Sequence, residues 1–216
     1  TNLRTGAGGA VAIKYLSSPQ SKIATFIGAG QQAVYQLLGL AEVRNIEQVI
    51  IVDPNKSAVK TFINQAKHLQ LPVQINDSIE DAVKDADIII TSTPSRKPII
   101  KKSWLKPNVH INAIGADASG KQELEVSILK DGVVIVDDVE QSTHSGEINV
   151  SITKKEFAES DITATLGEIV TKLLEENDLQ DQLTVFDSTG LAIQDLAAAA
   201  WILDEAKRTS IGKKIR

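Results

Sequence analysis

A glycine pattern is the first group of residues in this sequence that could support chemistry. Gly28, Gly30 and Ala33 have the spacing G-x-G-x-x-A, directly after the β-branched run 23–27 and at the start of a helical apolar pattern. In such a unit the first glycine makes a tight turn, the second lets a pyrophosphate approach the backbone, and the third small residue lets helix and strand pack closely. The N–H groups at the helix start then bind phosphate. The pattern indicates a dinucleotide site.

An acidic residue after the next apolar run makes this pattern more specific. Asp53 follows the run 48–52, near the spacing of about 20 residues at which a carboxylate hydrogen-bonds the adenosine ribose. A carboxylate there repels the 2′-phosphate of NADP, so NAD is the expected cofactor. The alternative is a glycine turn that serves packing alone and binds no phosphate.

Three loops with small and polar residues follow other apolar runs. They are residues 91–96, 115–121 and 187–190. Because the carboxyl ends of parallel strands form the ligand edge of a sheet, we expect all three to face the cofactor. Asp117 is then a candidate acid or base beside the nicotinamide, although a turn aspartate often bonds only its own backbone. Lys121 is a candidate for a ligand contact, and the alternative is that it is a solvated loop lysine.

Other reactive side chains form no recognisable centre. Asp137, Asp138 and Glu140 could resemble a metal site, but they lack further ligands at useful spacing and are interpreted as helix caps. Three scattered histidines and the absence of cysteine predict no metal and exclude disulfides. Ser188 has no G-x-S-x-G elbow and no histidine placed to activate it, so nucleophilic catalysis is not expected.

Composition limits the class of protein. The 216 residues are 42% hydrophobic and 24% charged, which suits one large domain. The net charge of −5, without a basic stripe interleaved with aromatics, argues against a nucleic-acid partner. No apolar run is long enough to cross a bilayer, so no membrane contact is expected. The lack of cysteine fits a cytoplasmic location.

Apolar runs alternate with helical patterns along the chain. Strands are expected at residues 23–27, 48–52, 73–75, 87–91, 109–113, 132–136 and 183–186. Helices are expected at residues 1–16, 33–41, 57–68, 77–86, 123–129, 163–174 and 189–207. The alternation predicts an α/β fold with a Rossmann-like, doubly wound, mostly parallel sheet that is covered on both faces.

Several motifs in order along the chain carry a resemblance to a known family. They are Leu3-Arg4-Thr5-Gly6-Ala7, the glycine turn, and residues 91–95, 111–117, 120–124, 144–147 and 186–192. The sequence resembles the ornithine cyclodeaminase/μ-crystallin family over essentially its whole length. Residues 115–124, 144–150 and 187–195 look most similar to the archaeal type of alanine dehydrogenase within that family.

The resemblance implies roles for individual residues. Arg4 would bind the substrate carboxylate and also reach the cofactor, Thr189 would bind substrate, and Asp117 would act in proton transfer. The residues that would bind NAD are Arg4, Thr5, Gly28, Gly30, Gln31, Gln32, Asp53, Ser92, Thr93, Ala113, Lys121 and Ser188.

The resemblance also implies an NAD-dependent enzyme that acts on an L-amino acid. The leading expectation is an alanine dehydrogenase, which releases pyruvate, ammonium and NADH. The alternatives are an ornithine cyclodeaminase, which makes proline and ammonia and recycles NAD, and a μ-crystallin-like ketimine reductase or binding protein. Family members carry a preceding domain for substrate and dimer contacts. Residues 1–216 are therefore expected to be the dinucleotide-binding domain of a longer enzyme that forms a homodimer when complete.

Overall fold

Strands in two sheets form the centre of the computed structural model, which describes residues 1–171 and 179–213. The strands are β1 (Ile23–Ile27), β2 (Gln48–Val52), β3 (Val73–Ile75), β4 (Ile88–Thr91), β5 (Arg96–Ile100), β6 (His110–Ala113), β7 (Gln122–Leu124), β8 (Val133–Val136), β9 (Ala164–Thr165) and β10 (Thr184–Asp187). The helices are α1 (Asn2–Leu16), α2 (Gln31–Val43), α3 (Lys56–His68), α4 (Ile79–Val83), α5 (Val126–Asp131), α6 (Val139–Ser145), α7 (Asn149–Thr153), α8 (Leu166–Val170) and α9 (Ala192–Thr209). None of these helices is long and apolar enough to cross a bilayer.

The large sheet has the order β3-β2-β1-β4-β6-β10-β8-β9, and every pair in it is parallel. The chain builds outward from β1 to β3 and then returns to the other side of β1 with β4. The topological switch point therefore lies between β1 and β4. Strands β4, β6 and β10 are buried along their whole length, as expected for a parallel sheet covered on both faces. The predicted α/β fold is confirmed.

Most predicted elements are confirmed to within a few residues, but residues 123–129 do not form one helix. Gln122–Leu124 is a strand, β7, and α5 starts only at Val126. β7 pairs with β5, an element that the sequence patterns did not predict, to make a separate parallel sheet of two strands. The first three residues of β5 are exposed, so this strand lacks the apolar run by which the others were predicted.

Two predicted helices near the end of the chain also need correction. Residues 163–174 begin with the short strand β9, which pairs with β8, before helix α8. Residues 172–174 lie outside the described residues. The final helix begins at Ala192 rather than at Thr189, because Thr189 and Gly190 form a turn after β10 and Gly190 has a left-handed φ of 80°.

Helices α1 and α2 pack at a distance that only glycine permits. A Cβ on Gly6 would lie 2.5 Å from the backbone oxygen of Tyr35, and one on Gly39 would lie 2.6 Å from the backbone oxygen of Gly6. The first turn of α1, which carries Arg4 and Thr5, is thereby fixed beside the start of α2.

A buried polar chain connects this helix pair to the sheet. The Gln36 amide donates to the Thr5 carbonyl at 2.9 Å, and the Asn112 amide donates to the Gly9 carbonyl at 3.1 Å and to Gln36 Oε1 at 3.3 Å. His110 Nε2 lies 2.9 Å from Asn112 Oδ1. Burial lowers the pKa of His110 to about 4, so its ring is neutral near pH 7 and donates through Nε2.

The glycine contact gives a stability prediction. Gly6→Ala should lower the free energy of unfolding by about 1–3 kcal/mol relative to Gly8→Ala, because its new methyl group overlaps backbone atoms of α2. Gly8 is a matched control in the same helix, since the nearest atom to its added Cβ would be 3.9 Å away. Both variants gain similar helix propensity. Urea unfolding followed by circular dichroism measures the difference, and equal stabilities would contradict the close packing.

Candidate functional site

Strand register brings the predicted site loops to one edge of the large sheet. Ile27 pairs with both Val52 and Thr91. Thr91 pairs with Ala113, and Ala113 pairs with Asp187. The residues that follow these strand ends therefore stand side by side: Gly28, Asp53, Ser92, Ile114 and Ser188. This carboxyl edge is where doubly wound sheets bind their ligands.

The glycine turn has the geometry that a phosphate group requires. Gly28 has a left-handed φ of 97°, and a Cβ on it would lie 2.8 Å from the backbone oxygen of Ser92. No atom lies within 4 Å of a Cβ placed on Gly30, the N-cap residue of α2, and no side chain caps that helix. Gln31 and Gln32 are its first two residues. The open approach and the uncapped helix start fit a pyrophosphate.

Asp53 fastens this turn to the end of β2. Its Oδ2 accepts a hydrogen bond from the Ala29 backbone N–H at 2.7 Å, and its Oδ1 accepts one from the Asn55 N–H at 2.6 Å. A carboxylate oxygen can accept more than one hydrogen bond, so capacity remains for ribose hydroxyls. Beside it lies a cleft of about 540 Å³ between Gly28, Asp53 and residues 92–95. That volume is in the range of small-molecule sites.

Thr5 and Gln32 lie where the first turns of α1 and α2 meet. The Thr5 hydroxyl donates to the Thr1 carbonyl at 3.1 Å, and the Gln32 amide donates to Asn2 Oδ1 at 2.9 Å. The Gln32 Oε1 atom is buried, with no hydrogen-bond partner in the described part of the chain. A buried acceptor of this kind can receive a donor from a ligand.

Glu123 is a buried residue that holds two of the site loops, and it had no predicted role. Its Oε1 accepts from the Thr93 backbone N–H at 2.8 Å and from the Thr93 hydroxyl at 2.7 Å. Its Oε2 accepts from the Gly115 N–H at 3.0 Å. Burial raises the pKa of Glu123, against the opposing effect of these hydrogen bonds.

Two further buried carboxylates continue from Glu123, and we call Glu123, Glu147 and Asp187 the carboxylate ladder. Glu147 Oε1 accepts from the backbone N–H of Glu123 at 2.9 Å and of Leu124 at 2.6 Å. Asp187 accepts from the N–H of Glu147 at 2.8 Å and of Ile148 at 3.2 Å. Burial, and then the charge of Glu123, raise the pKa of Glu147 well above its usual value. Burial raises the pKa of Asp187 to about 7.

Asp137 organises the turn after β10. Its carboxylate accepts from the Thr189 hydroxyl at 2.6 Å, from the Thr189 N–H at 3.0 Å, and from the Gly190 N–H. The interpretation as a helix cap is therefore wrong for Asp137. It is right for Asp138, whose Oδ1 accepts from the Gln141 N–H at the start of α6. In the described ranges, no group of three or more His, Cys, Asp or Glu residues is placed to hold a metal ion.

Asp117 lies at the exposed rim of the same edge. Its side chain is 67% exposed and forms an ion pair with Lys121, which is 21% exposed. The Asn149 side chain holds the backbone on either side of Lys121, since Oδ1 accepts from the Gly120 N–H at 2.9 Å and Nδ2 donates to the Lys121 carbonyl at 3.0 Å. The exposed carboxylate is accessible to a ligand at this edge, and its catalytic role stays a prediction.

Arg4 lies against the turn after β10. Its Nε donates to Asp195 at 3.3 Å and its Nη1 to Gln194 at 3.5 Å. A Cβ on Gly190 would overlap the guanidinium, because Nη1 would be only 1.8 Å away. Arg4 lines a mostly apolar cleft of about 680 Å³ between α1, α8 and α9. Any carboxylate ligand at Arg4 would compete with Asp195.

The site residues predicted from the sequence fall into two groups. The carboxyl edge carries Gly28, Gly30, Asp53, Ser92, Thr93, Ala113, Asp117, Lys121, Ser188 and Thr189. The adjoining starts of α1 and α2 carry Arg4, Thr5, Gln31 and Gln32. Ser188 is nearly buried, and its N–H donates to the Ala113 carbonyl at 3.1 Å, which links β10 to β6. The individual roles stay predictions.

Known proteins are similar to this chain in both fold and sequence. The profile of the ornithine cyclodeaminase/mu-crystallin family matches residues 1–210. An alanine dehydrogenase from Archaeoglobus fulgidus is 43% identical over 216 residues, which are all of this chain and 66% of that protein. An archaeal alanine dehydrogenase dimer solved with bound NAD superposes with a TM-score of 0.93 at 42% identity, covering 100% of this chain and 67% of that one.

A second solved structure gives the same result. Delta(1)-pyrroline-2-carboxylate reductase of Thermococcus litoralis, in complex with NADH and L-proline, has a TM-score of 0.93 and 34% identity, over 98% of this chain and 66% of that one. The chain thus spans about two thirds of the length of these relatives. The resemblance seen in the motifs is confirmed, and the chain belongs to the ornithine cyclodeaminase/mu-crystallin family.

Proposed function

We propose that the chain is the NAD-binding part of an enzyme that oxidises an L-amino acid, with L-alanine as the substrate. The observation that carries the proposal is the cleft at the switch point, whose residues fit a dinucleotide. The chain that forms it is 43% identical over its whole length to an alanine dehydrogenase. The reaction would convert L-alanine, NAD⁺ and water to pyruvate, ammonium, NADH and a proton.

The residues of the carboxyl edge would divide the binding of NAD between them. The uncapped start of α2 with Gly30 would hold the pyrophosphate, and Asp53 would hold the adenosine ribose. Residues proposed for the remaining contacts are Arg4, Thr5, Gly28, Gln31, Gln32, Ser92, Thr93, Ala113, Lys121 and Ser188. When bound, NAD supplies the acceptor for the hydride that leaves the substrate Cα.

Asp117 is proposed to handle the protons of the reaction. Its exposed carboxylate would take a proton from the substrate amine or from the attacking water, and Lys121 beside it would keep the carboxylate oriented. Arg4 would bind the substrate carboxylate, with Thr189 close by on the turn that packs against Arg4.

We propose further that residues 1–216 are one domain of a longer, homodimeric enzyme. Helix α9 buries none of its residues, and its exposed apolar side chains include Ile193 at 69%, Leu196 at 69% and Trp201 at 61%. Together with the apolar cleft beside Arg4, this is a surface of the kind that another part of an assembly covers. A cytoplasmic location, supported by the absence of cysteine, is part of the same proposal.

Products test the choice of substrate. Full-length enzyme incubated with NAD and L-alanine should accumulate NADH and pyruvate in equal amounts, because water attacks the imine and the cofactor leaves reduced. L-Ornithine in place of L-alanine is the control. Proline and ammonia from L-ornithine without net NADH would instead identify a cyclodeaminase. No turnover of either amino acid would favour the binding protein or ketimine reductase.

Asp53 gives a cofactor prediction. NAD should bind at least about tenfold more tightly than NADP, a difference of about 1.4 kcal/mol, because the carboxylate repels a 2′-phosphate. Asp53→Ser should narrow this preference, whereas Asp85→Ser, which removes an equal charge from an exposed turn ahead of β4, should leave it unchanged. Isothermal titration with both cofactors measures it. Equal affinities of the unmodified protein for NAD and NADP would contradict the proposal that Asp53 binds the ribose.

Asp117 gives a catalytic prediction. Asp117→Asn should lower kcat by a factor on the order of 10² or more and change NADH affinity less than about twofold, because the amide keeps the shape but cannot exchange a proton. Steady-state kinetics of the full-length enzyme, with Asp85→Asn as the control, measure the effect. Near-normal turnover of Asp117→Asn would return this residue to a turn role.

A further inference from the structure

We propose that Glu123 is a positioning residue of this reaction: its buried carboxylate fixes the loop that carries Thr93 against the loop that leads to Asp117. The inference rests on the proposed function, because those loops hold a proposed cofactor contact and the proposed proton-transfer group. It adds a residue that touches neither cofactor nor substrate and acts through the two loops.

The hydrogen bonds of Glu123 all reach the site loops. Three donors converge on its two oxygens: the N–H and hydroxyl of Thr93 on Oε1, and the N–H of Gly115 on Oε2. An ionised carboxylate accepts at both oxygens, so it satisfies donors from both loops at once. A glutamine would have to present its own NH₂ to one of these donors. The contact therefore requires an acid at residue 123, and not merely a polar side chain of the same size.

An independent feature shows how closely the two loops meet. A Cβ on Gly115 would lie 2.4 Å from the Thr93 carbonyl oxygen, 2.6 Å from the Thr93 nitrogen and 2.5 Å from Glu123 Oε2. The two backbones thus touch where Glu123 joins them, with no room for a methyl group. Asp117 follows two residues later, and its N–H donates to the Gly115 carbonyl at 3.0 Å. This hydrogen bond is the contact through which a displacement at Gly115 would reach Asp117.

The rest of the carboxylate ladder holds Glu123 from behind. Glu147 binds the backbone of Glu123, and Asp187 binds the backbone of Glu147. Asp187 directly precedes Ser188, a proposed cofactor contact on a third loop. No basic side chain forms an ion pair with any ladder carboxylate in the described part of the chain. Burying an acidic group without a basic partner costs free energy. Ionisable groups with such perturbed environments are found most often at functional sites.

The test compares variants that break the junction in two different ways. Glu123→Gln replaces one acceptor by a donor, and Gly115→Ala inserts a methyl group between the loops without changing charge. Their controls are Glu125→Gln, whose carboxylate binds the Lys102 N–H instead, and Gly167→Ala, whose added Cβ would have its nearest neighbour at 3.8 Å. Each variant of the 216-residue chain is titrated with NADH by fluorescence, and its hydrogen–deuterium exchange is followed by mass spectrometry.

Both junction variants should weaken NADH binding about tenfold or more and speed amide exchange in residues 91–97 and 114–118, with little change elsewhere. Both controls should stay within about twofold of the unmodified chain. A lower unfolding temperature with unchanged NADH affinity in the junction variants would overturn the proposal and leave Glu123 a purely structural residue.

Two other outcomes of the experiment also test the role of Glu123. If Glu123→Gln does not fold, Gly115→Ala alone decides, since it keeps the whole ladder ionisable. If the unmodified chain binds no NADH, the proposed function fails, and that failure is distinct from failure of the inference. Exchange in residues 91–97 and 114–118 then still decides whether Glu123 joins the loops, and unchanged exchange in both junction variants overturns it.

Discussion

Hydrogen bonds from backbone N–H groups to buried or half-buried carboxylates are the interaction on which the carboxyl edge of the sheet depends. Loops that leave parallel strands expose N–H groups that no neighbouring strand satisfies, and leaving such groups buried and unpaired costs free energy. Asp53 satisfies them at the glycine turn, Glu123 at the next two loops, and Asp137 after β10. Glu123 and Asp137 accept their hydrogen bonds from other strand–loop units, and Asp53 accepts from Ala29 on another unit as well as from Asn55 on its own. The loops therefore form one connected rim.

The deepest acids of this edge, which are those of the carboxylate ladder, have raised pKa values because they are buried. Glu123, Glu147 and Asp187 are fully buried and close enough for Glu147 to be affected by the charge of both neighbours. The hydrogen bonds offset only part of the cost of desolvating these carboxylates. The protein therefore loses some stability, and the positions of the loops become fixed. Such a cost is reasonable at an edge where the cofactor and the proposed proton-transfer group would have to keep a set separation.

The sequence predicts the sheet well and the rim poorly, for a physical reason. Runs such as residues 87–91 are apolar because both faces of a parallel strand are buried, and that signal is local. The role of Glu123 depends on Thr93, far away in the chain, and on Glu147 on the other side, so no local pattern reveals it. Its segment, read locally, resembles a helix start and not the buried strand β7. The same limit applies to Asp137, because an acid ahead of a helix has the local pattern of a helix cap.

The glycine turn and the position of Asp53 could be predicted because the spacing that is typical of a dinucleotide site lies within one βαβ segment. The aligned strand ends could be predicted because the strands of a doubly wound sheet are parallel. Substrate choice has no such local basis. Asp117 is two thirds exposed and Arg4 lies beside the uncovered face of α9, so the groups proposed to act on the amino acid stand at the border of this domain. Dehydrogenase and cyclodeaminase chemistry share the first hydride transfer and differ in what attacks the imine and in whether the reduced cofactor then returns its hydride. The cofactor edge could therefore serve both, and in the longer enzyme that we propose, the surface covering this border would decide whether water or the substrate's own amine reaches the reacting carbon.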